Sequence, residues 1–250
     1  MDWNKIYHTV LTYGSLAWSE MVGIPILVVG TIGGKDGPEK GRRLIRWWSG
    51  QFIKATGMTY EVFGLENIRP ERNYLVMSSH RSHIDGPLLN VTTPFTFSFV
   101  IKKSLGDIPI WGWAVKSAGY VPIMRENKKK AKQELKGAAQ HLSQGNNMLV
   151  FPEGTRSPTD EFLPFKKGGI VLAIQAQVPI LPVAISGTGH ILPKNATTMS
   201  PGHAIIRYGK PIETGGLTYE DRNDLLKRVE KAIKALYIPG PVKPGDYKPS

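Results

Sequence analysis

The ten residues from Ser78 to Pro87 read SSHRSHIDGP and gather two histidines, an arginine, an aspartate and three serines in one short stretch. Three chemistries use such residue types. His80 and His83, three apart, could ligate a cation together with Asp85, with Glu153 completing the set. No second cluster with ligand-like spacing follows, because His141, His190 and His203 stand alone, and no metal is expected. A serine nucleophile wants a sharp elbow flanked by small residues, and Ser79 and Ser82 lack those glycines. The remaining chemistry needs only His80 and Asp85. If the turn runs into a helix near Asp85, the carboxylate can accept from one imidazole nitrogen and leave the other free as a base. With an ordinary pKa of about 6.5, such an imidazole can take a proton at neutral pH. A capped turn whose histidine only satisfies backbone groups is the plain alternative.

Two further segments carry anion-binding chemistry. GYVPIMRENKKKAK ends an apolar run in Arg125, whose planar fork suits phosphate oxygens; Lys128 to Lys130 read as a solvated helix face. In NNMLVFPEGTRSP, Gly154 would let backbone amides approach an anion, while Thr155 and Arg156 add a hydroxyl and a positive charge. Glu153 could orient Arg156 or accept the hydroxyls of a polyol.

The elements that must position these groups alternate along the chain. MTYEVFGLENI, NYLVMSS, FTFSFVIKK, GYVPIM, NNMLVF, PILPVAIS and HAIIRYGKPI are short, rich in β-branched and aromatic residues, and bounded by turn residues, as strands are. DGPLLNV, IPIWGWAVKSA, RENKKKAKQELKGAAQHLSQ, PFKKGGIVLAIQAQ and TYEDRNDLLKRVEKAIKALY read as helices between them. This interleaving predicts an α/β domain: a largely parallel, mixed sheet of about seven strands flanked by helices. Ligands of such sheets sit outside the carboxyl ends of the strands. SSHRSHID, MREN, FPEGTRS and SGTGH all fall just after strand segments.

The chain has 250 residues, enough for one large domain with an appendage, and no cysteine, which excludes disulfides and a thiolate nucleophile. Its 32 lysines and arginines against 20 acids leave a net charge of +12, drawing it to polyanions of some kind. Residues 6 to 34 carry a single formal charge, Glu20. Glu20, Pro25 and several glycines interrupt that stretch, so spanning and shallow insertion both stay open. In PEKGRRLIRWWSGQFIKATG, Leu44, Trp48 and Phe52 share a helical face near Arg42, Arg43 and Arg46. That pattern fits a helix in the headgroup zone of an anionic bilayer, or a helix docked on its own domain. The expected division is a helical, membrane-associating segment over 1–57, the α/β domain over 58–237, and a loosely ordered tail over 238–250.

Taken together, HRSHID, GYVPIMR, FPEGTRS and VPILPVAI resemble the four ordered blocks of the glycerolipid acyltransferase family, in particular the bacterial 1-acyl-sn-glycerol-3-phosphate acyltransferases. The resemblance covers about residues 60 to 212. It implies that His80 is a general base oriented by Asp85, and that Arg125, Glu153, Gly154, Thr155 and Arg156 hold a phosphorylated glycerol acceptor, with Ser82 counted in the same set. Lys102 takes the place of a lysine that follows the first block, although Ser104 stands where the family has glutamate. Ser79 replaces an asparagine common before the histidine, and His83 adds a second imidazole beside the base. The implied reaction is acyl transfer from acyl-CoA or acyl-carrier protein to lysophosphatidic acid, with no cofactor. The implied place is an anionic membrane surface, at the cytoplasmic face of the inner membrane. A basic module binding membranes or nucleic acid is the rival from another class. No nucleic-acid motif accompanies the charge, so no nucleic-acid partner is expected.

Overall fold

The computed structural model describes residues 34–107, 111–123 and 128–249, together with residues 6, 7, 9, 10 and 14. Along the chain the main elements are α1 (Gly37–Thr56), β1 (Thr59–Phe63), β2 (Leu75–Ser78), α2 (Asp85–Thr92) and β3 (Ser98–Lys102). There follow α3 (Trp111–Ser117), β4 (Val121–Ile123), α4 (Lys128–Ser143), β5 (Met148–Val150) and α5 (Lys167–Ala176). The last are β6 (Ile180–Ser186), β7 (His203–Tyr208) and α6 (Arg222–Leu236). Single turns of helix at Lys103–Gly106 and Thr188–Ile191 prolong β3 and β6. Each of the seven apolar segments expected to form strands contributes one.

The strands make one sheet in the order β1-β7-β6-β2-β5-β3-β4. β2 through β6 run parallel to one another, while β7 lies antiparallel to β6 and parallel to β1. The chain leaves β2 for β3 on one side, returns to insert β5 beside β2, then crosses to β6 on the other side. The carboxyl ends of β6, β2 and β5 are therefore neighbours at the point where the winding changes direction, the usual place for a ligand in such sheets.

Alternation of side chains along the central strands makes two cores, one per face. Leu75 and Met77 of β2 join Met148 and Ile180 against Leu142, Ile170, Leu172, Leu225, Val229 and Ile233 of α4, α5 and α6. Tyr74 and Val76 join Leu149, Leu181 and Val183 against Phe52, Ile53, Leu88 and Leu89 of α1 and α2. Burying each of these large side chains contributes about 1.5–3 kcal/mol, the main force holding the strand ends in register. Ahead of helix α6, Thr218 and Asp221 form a reciprocal capping box.

Of the two settings foreseen for α1, the structure supplies the docked one for its inner face. Phe52 and Ile53 are buried, Trp48 packs on the same core, and the guanidinium of Arg46 donates to the carbonyls of Val91 and Phe95 at the end of α2. Its outer face leaves Lys40, Arg43, Trp47 and Lys54 exposed. Among the described residues no helix is long and apolar enough to cross a membrane. Most of the stretch from 6 to 33 on which that question turns lies outside the described residues.

The closing segment, whose prolines and glycines suggest loose order, makes definite contacts instead. Ile238 and Gly240 donate backbone N–H bonds to Ser186 Oγ and Asp160. Val242 is buried and bridges to His203, and the Tyr247 ring meets Phe63 edge-on and lies under Arg207. Proline limits hydrogen bonding within a segment, and here the bonds run to the domain instead.

Candidate active site

The first block leaves β2 as an extended strand and keeps hold of β6 for one residue more. Ser79 N donates to Val183 O, and the Ser79 hydroxyl both donates to Ile185 O and accepts from Ile185 N. The turn is thereby braced to the sheet by a serine where asparagine is common in the family. The chain then bends so that Asp85 opens α2, five residues past His80, and the two side chains meet. His80 Nδ1 lies 2.8 Å from Asp85 Oδ2. An ionised carboxylate only accepts, so Nδ1 carries the hydrogen and Nε2 presents its lone pair.

Asp85 is fully buried, yet four donors surround it. Oδ2 accepts from His80 Nδ1 and from the backbone N–H groups of Arg81 (2.7 Å) and Ser82 (2.9 Å), while Oδ1 accepts from Thr188 Oγ1 at 2.6 Å. Such bonds satisfy the oxygens of a buried carboxyl group, which would otherwise be costly to remove from water. The His80 ring is stacked on Phe151, with centroids 3.8 Å apart and planes inclined by 10°, and its side chain keeps 17 % exposure. The imidazole is thus held on one side by an acid and on a face by a ring, with a route to solvent left open.

The third block follows β5 and serves the first block more than any ligand. Glu153, expected to orient Arg156 or to accept polyol hydroxyls, is 1 % exposed and wholly committed. Its Oε1 accepts from Arg81 Nη1 at 2.7 Å and from His80 N at 3.2 Å, and its Oε2 accepts from Leu163 N at 2.8 Å. The Arg81 guanidinium lies over the rings of Phe162 and Tyr237, 4.4 and 5.0 Å from their centroids. Ser82, counted with the acceptor-binding residues, is also withdrawn: it is fully buried, and its hydroxyl donates to Leu192 O. Both side chains are thus engaged within the protein, in bonds that shape the turn around His80. Family blocks mark residues that build a site as well as those that touch its ligand.

The groups left facing outward are basic or neutral. Thr155 is exposed; Arg156 is half-buried, with Nη1 donating to Lys194 O. Gly154 has φ +72, and a Cβ there would stand 2.7 Å from Lys166 Nζ. Glycine at 154 therefore lets the Lys166 ammonium pass over the turn, a cation the sequence did not single out. Burial, followed by the charges of Arg156 and His80, holds the His83 pKa below its ordinary value despite Asp85, so that ring stays neutral at pH 7. Lys102 closes β3, in register with Ile123 of β4. Arg125 lies outside the described residues. Among the described residues no three His, Asp or Glu side chains group as a metal site requires.

Sequence reasoning missed Arg81, Phe151, Lys166 and Thr188. Arg81 and Phe151 sat within the motifs but had no partner visible in the sequence. Thr188 follows β6 in SGTGH, a segment that position alone had marked.

Known proteins resemble this chain in sequence and in fold. The sequence profile of the Acyltransferase family matches residues 59–186. An uncharacterized acyltransferase of Schizosaccharomyces pombe is 37 % identical over 177 residues, 68 % of this chain and 63 % of that protein. The 1-acyl-sn-glycerol-3-phosphate acyltransferase of Saccharomyces cerevisiae is 33 % identical over 176 residues, 69 % of this chain and 58 % of that one. Its namesake from Pseudomonas aeruginosa is 35 % identical over 163 residues, 65 % of this chain and 62 % of that protein. The chain thus spans about three fifths of the length of these curated relatives. The crystal structure of the 1-acyl-sn-glycerophosphate (LPA) acyltransferase PlsC from Thermotoga maritima superposes with a TM-score of 0.78 at 28 % identity, covering 93 % of this chain and 94 % of that one. With the profile running through His80, Asp85 and the loop from Glu153 to Arg156, over more than half of the residues, this chain belongs to the acyltransferase family.

Proposed function

We propose that this protein moves a fatty acyl group from acyl-CoA or acyl-carrier protein to the sn-2 hydroxyl of 1-acyl-sn-glycerol 3-phosphate, giving phosphatidic acid. The observation that carries the proposal is the His80–Asp85 pair, 2.8 Å apart with Nε2 free, at the carboxyl ends of the central strands beside Arg156. Relatives named for this activity and the solved PlsC structure support it.

In this reading the acceptor's phosphate is held by Arg156, Thr155 and Lys166, and by Lys102 and Arg125 as the family resemblance implies. His80 Nε2 takes the proton of the sn-2 hydroxyl as its oxygen attacks the thioester carbonyl. The carbon–sulfur bond then breaks, and the imidazolium returns the proton to the departing thiolate. The thioester is already activated, so no acyl-enzyme is required. Asp85 stabilises the imidazolium while it lasts. No cofactor takes part.

The same reading places the protein on the cytoplasmic face of a membrane, where the acceptor resides and acyl donors arrive. Lys40, Arg43, Trp47 and Lys54, exposed along the outer side of α1, suit anionic headgroups through charge and an interfacial indole.

One assay tests both parts. Acyl-CoA is supplied with lysophosphatidate, glycerol 3-phosphate or a zwitterionic lysolipid, the lysolipids presented in anionic or neutral vesicles, and both product and vesicle-bound protein are measured. Lysophosphatidate is expected to give the highest kcat/KM, by at least about tenfold over the zwitterionic lysolipid, the order of one lost charged contact, with more protein on anionic vesicles at low salt than at high. Preference for glycerol 3-phosphate or a zwitterionic acceptor would replace the acceptor assignment. Equal binding to both vesicle types would remove the headgroup surface.

A further inference from the structure

We infer that Thr188 is a positioning residue for the proposed acyl transfer: its hydroxyl, donating at 2.6 Å to the Asp85 oxygen that His80 does not use, fixes the plane of the carboxylate that steers the base. The inference rests on the His80–Asp85 reading above and extends it to a residue outside the four blocks.

The local fold is arranged to deliver this hydroxyl. β6 runs beside β2, with Val183 opposite Ser78, so the chain leaves β6 next to the catalytic turn. Gly187 then reverses the path with φ +89, and a Cβ there would fall 2.3 Å from His203 O. Only glycine fits, and the residue that follows is turned back toward Asp85. Thr188 is fully buried, and Gly189 lets the chain pass within contact of Arg81.

The chemistry requires what this geometry supplies. Three donors converge on Oδ2, from His80, Arg81 and Ser82. Oδ1 has the Thr188 hydroxyl. A carboxylate turns easily about its last torsion, which has a broad and nearly two-fold profile. With donors on one oxygen only, the group could swing and carry the imidazole with it. A donor on each oxygen sets the plane, and with it the direction in which the imidazole presents Nε2.

The test uses three substitutions in the full chain, assayed with acyl-CoA and lysophosphatidate. Thr188→Val keeps the shape and loses the hydroxyl, Thr188→Ser keeps the hydroxyl and loses a methyl, and Thr188→Ala loses both. Activity is expected to follow the hydroxyl. Val and Ala should lower kcat by about ten- to hundredfold, as for a buried acceptor deprived of its donor. KM should change little, so the loss appears in kcat, and Ser should restore kcat. Thermal melts run alongside, and if Val proves poorly folded the Ser–Ala comparison decides. A Val variant with wild-type kcat, or a Ser variant as slow as Ala, overturns the inference. His80→Ala, measured in the same series, separates the two levels. If it retains transfer, the base reading itself falls; if it loses transfer while Thr188→Val keeps it, only the role of Thr188 falls.

Discussion

His80→Ala is expected to leave a folded protein whose acyl transfer is slower by about 10²–10⁴-fold, the contribution usual for a positioned general base. The fold should survive, because His80 lies in the turn beyond β2, and the strands and helices around it are held by the two cores. Among the described residues its ring makes one hydrogen bond and one stack, to Asp85 and Phe151. Binding of both substrates should persist, since the proposed phosphate contacts come from other residues, so the loss should appear in kcat with KM little altered. The check is a steady-state comparison with a thermal melt of each protein. A variant transferring acyl groups within about tenfold of wild type would remove His80 from the chemistry, since a base of this kind contributes at least about a hundredfold.

The largest effect on stability is expected at Glu153. Alanine there would strand the Arg81 guanidinium, 2 % exposed, without its counter-charge, and would free the backbone N–H groups of His80 and Leu163. Breaking a buried pair from one side costs about 3–5 kcal/mol. Against a total stability of about 5–15 kcal/mol that is a large share. For a chain of this size it corresponds to a fall in Tm of about 10 °C. Removing the charge as well, in Glu153→Ala with Arg81→Met, should recover part of the loss, because no unpaired charge is then left in the interior. Activity should not recover with it, as the brace on His80 N stays missing. A single Glu153→Ala variant melting within about 1 °C of wild type would show that the pair does not hold the turn together.

The sequence carried the fold because its strands are short, β-branched and bounded by turn residues, and its helices repeat apolar residues every three to four positions. β2 and β6 are buried along their whole length and read as continuous apolar runs, as central parallel strands do. Block spacing carried the His80–Asp85 contact as well, since a strand, a tight turn and a helix start leave little freedom over five residues. Roles that depend on long-range partners were not legible. Nothing near Glu153 in the sequence says that Arg81 will reach it across 72 positions, or that Thr188 will return to Asp85 across 103. The same applies to α1. Its apolar face and arginines fit a bilayer and a protein core equally well in pattern, and only the carbonyls of Val91 and Phe95 show where Arg46 points.

The account turns on direct attack by a lipid alcohol whose proton passes to His80. The measurement that addresses it most directly is rapid-quench analysis of the protein mixed with acyl-CoA, with and without lysophosphatidate. Without acceptor, no thiol should be released and no acylated protein should form. With acceptor, thiol and phosphatidic acid should appear together in equal amounts. A burst of thiol matching the amount of protein in the absence of lysophosphatidate, or steady hydrolysis to free fatty acid, would contradict the mechanism.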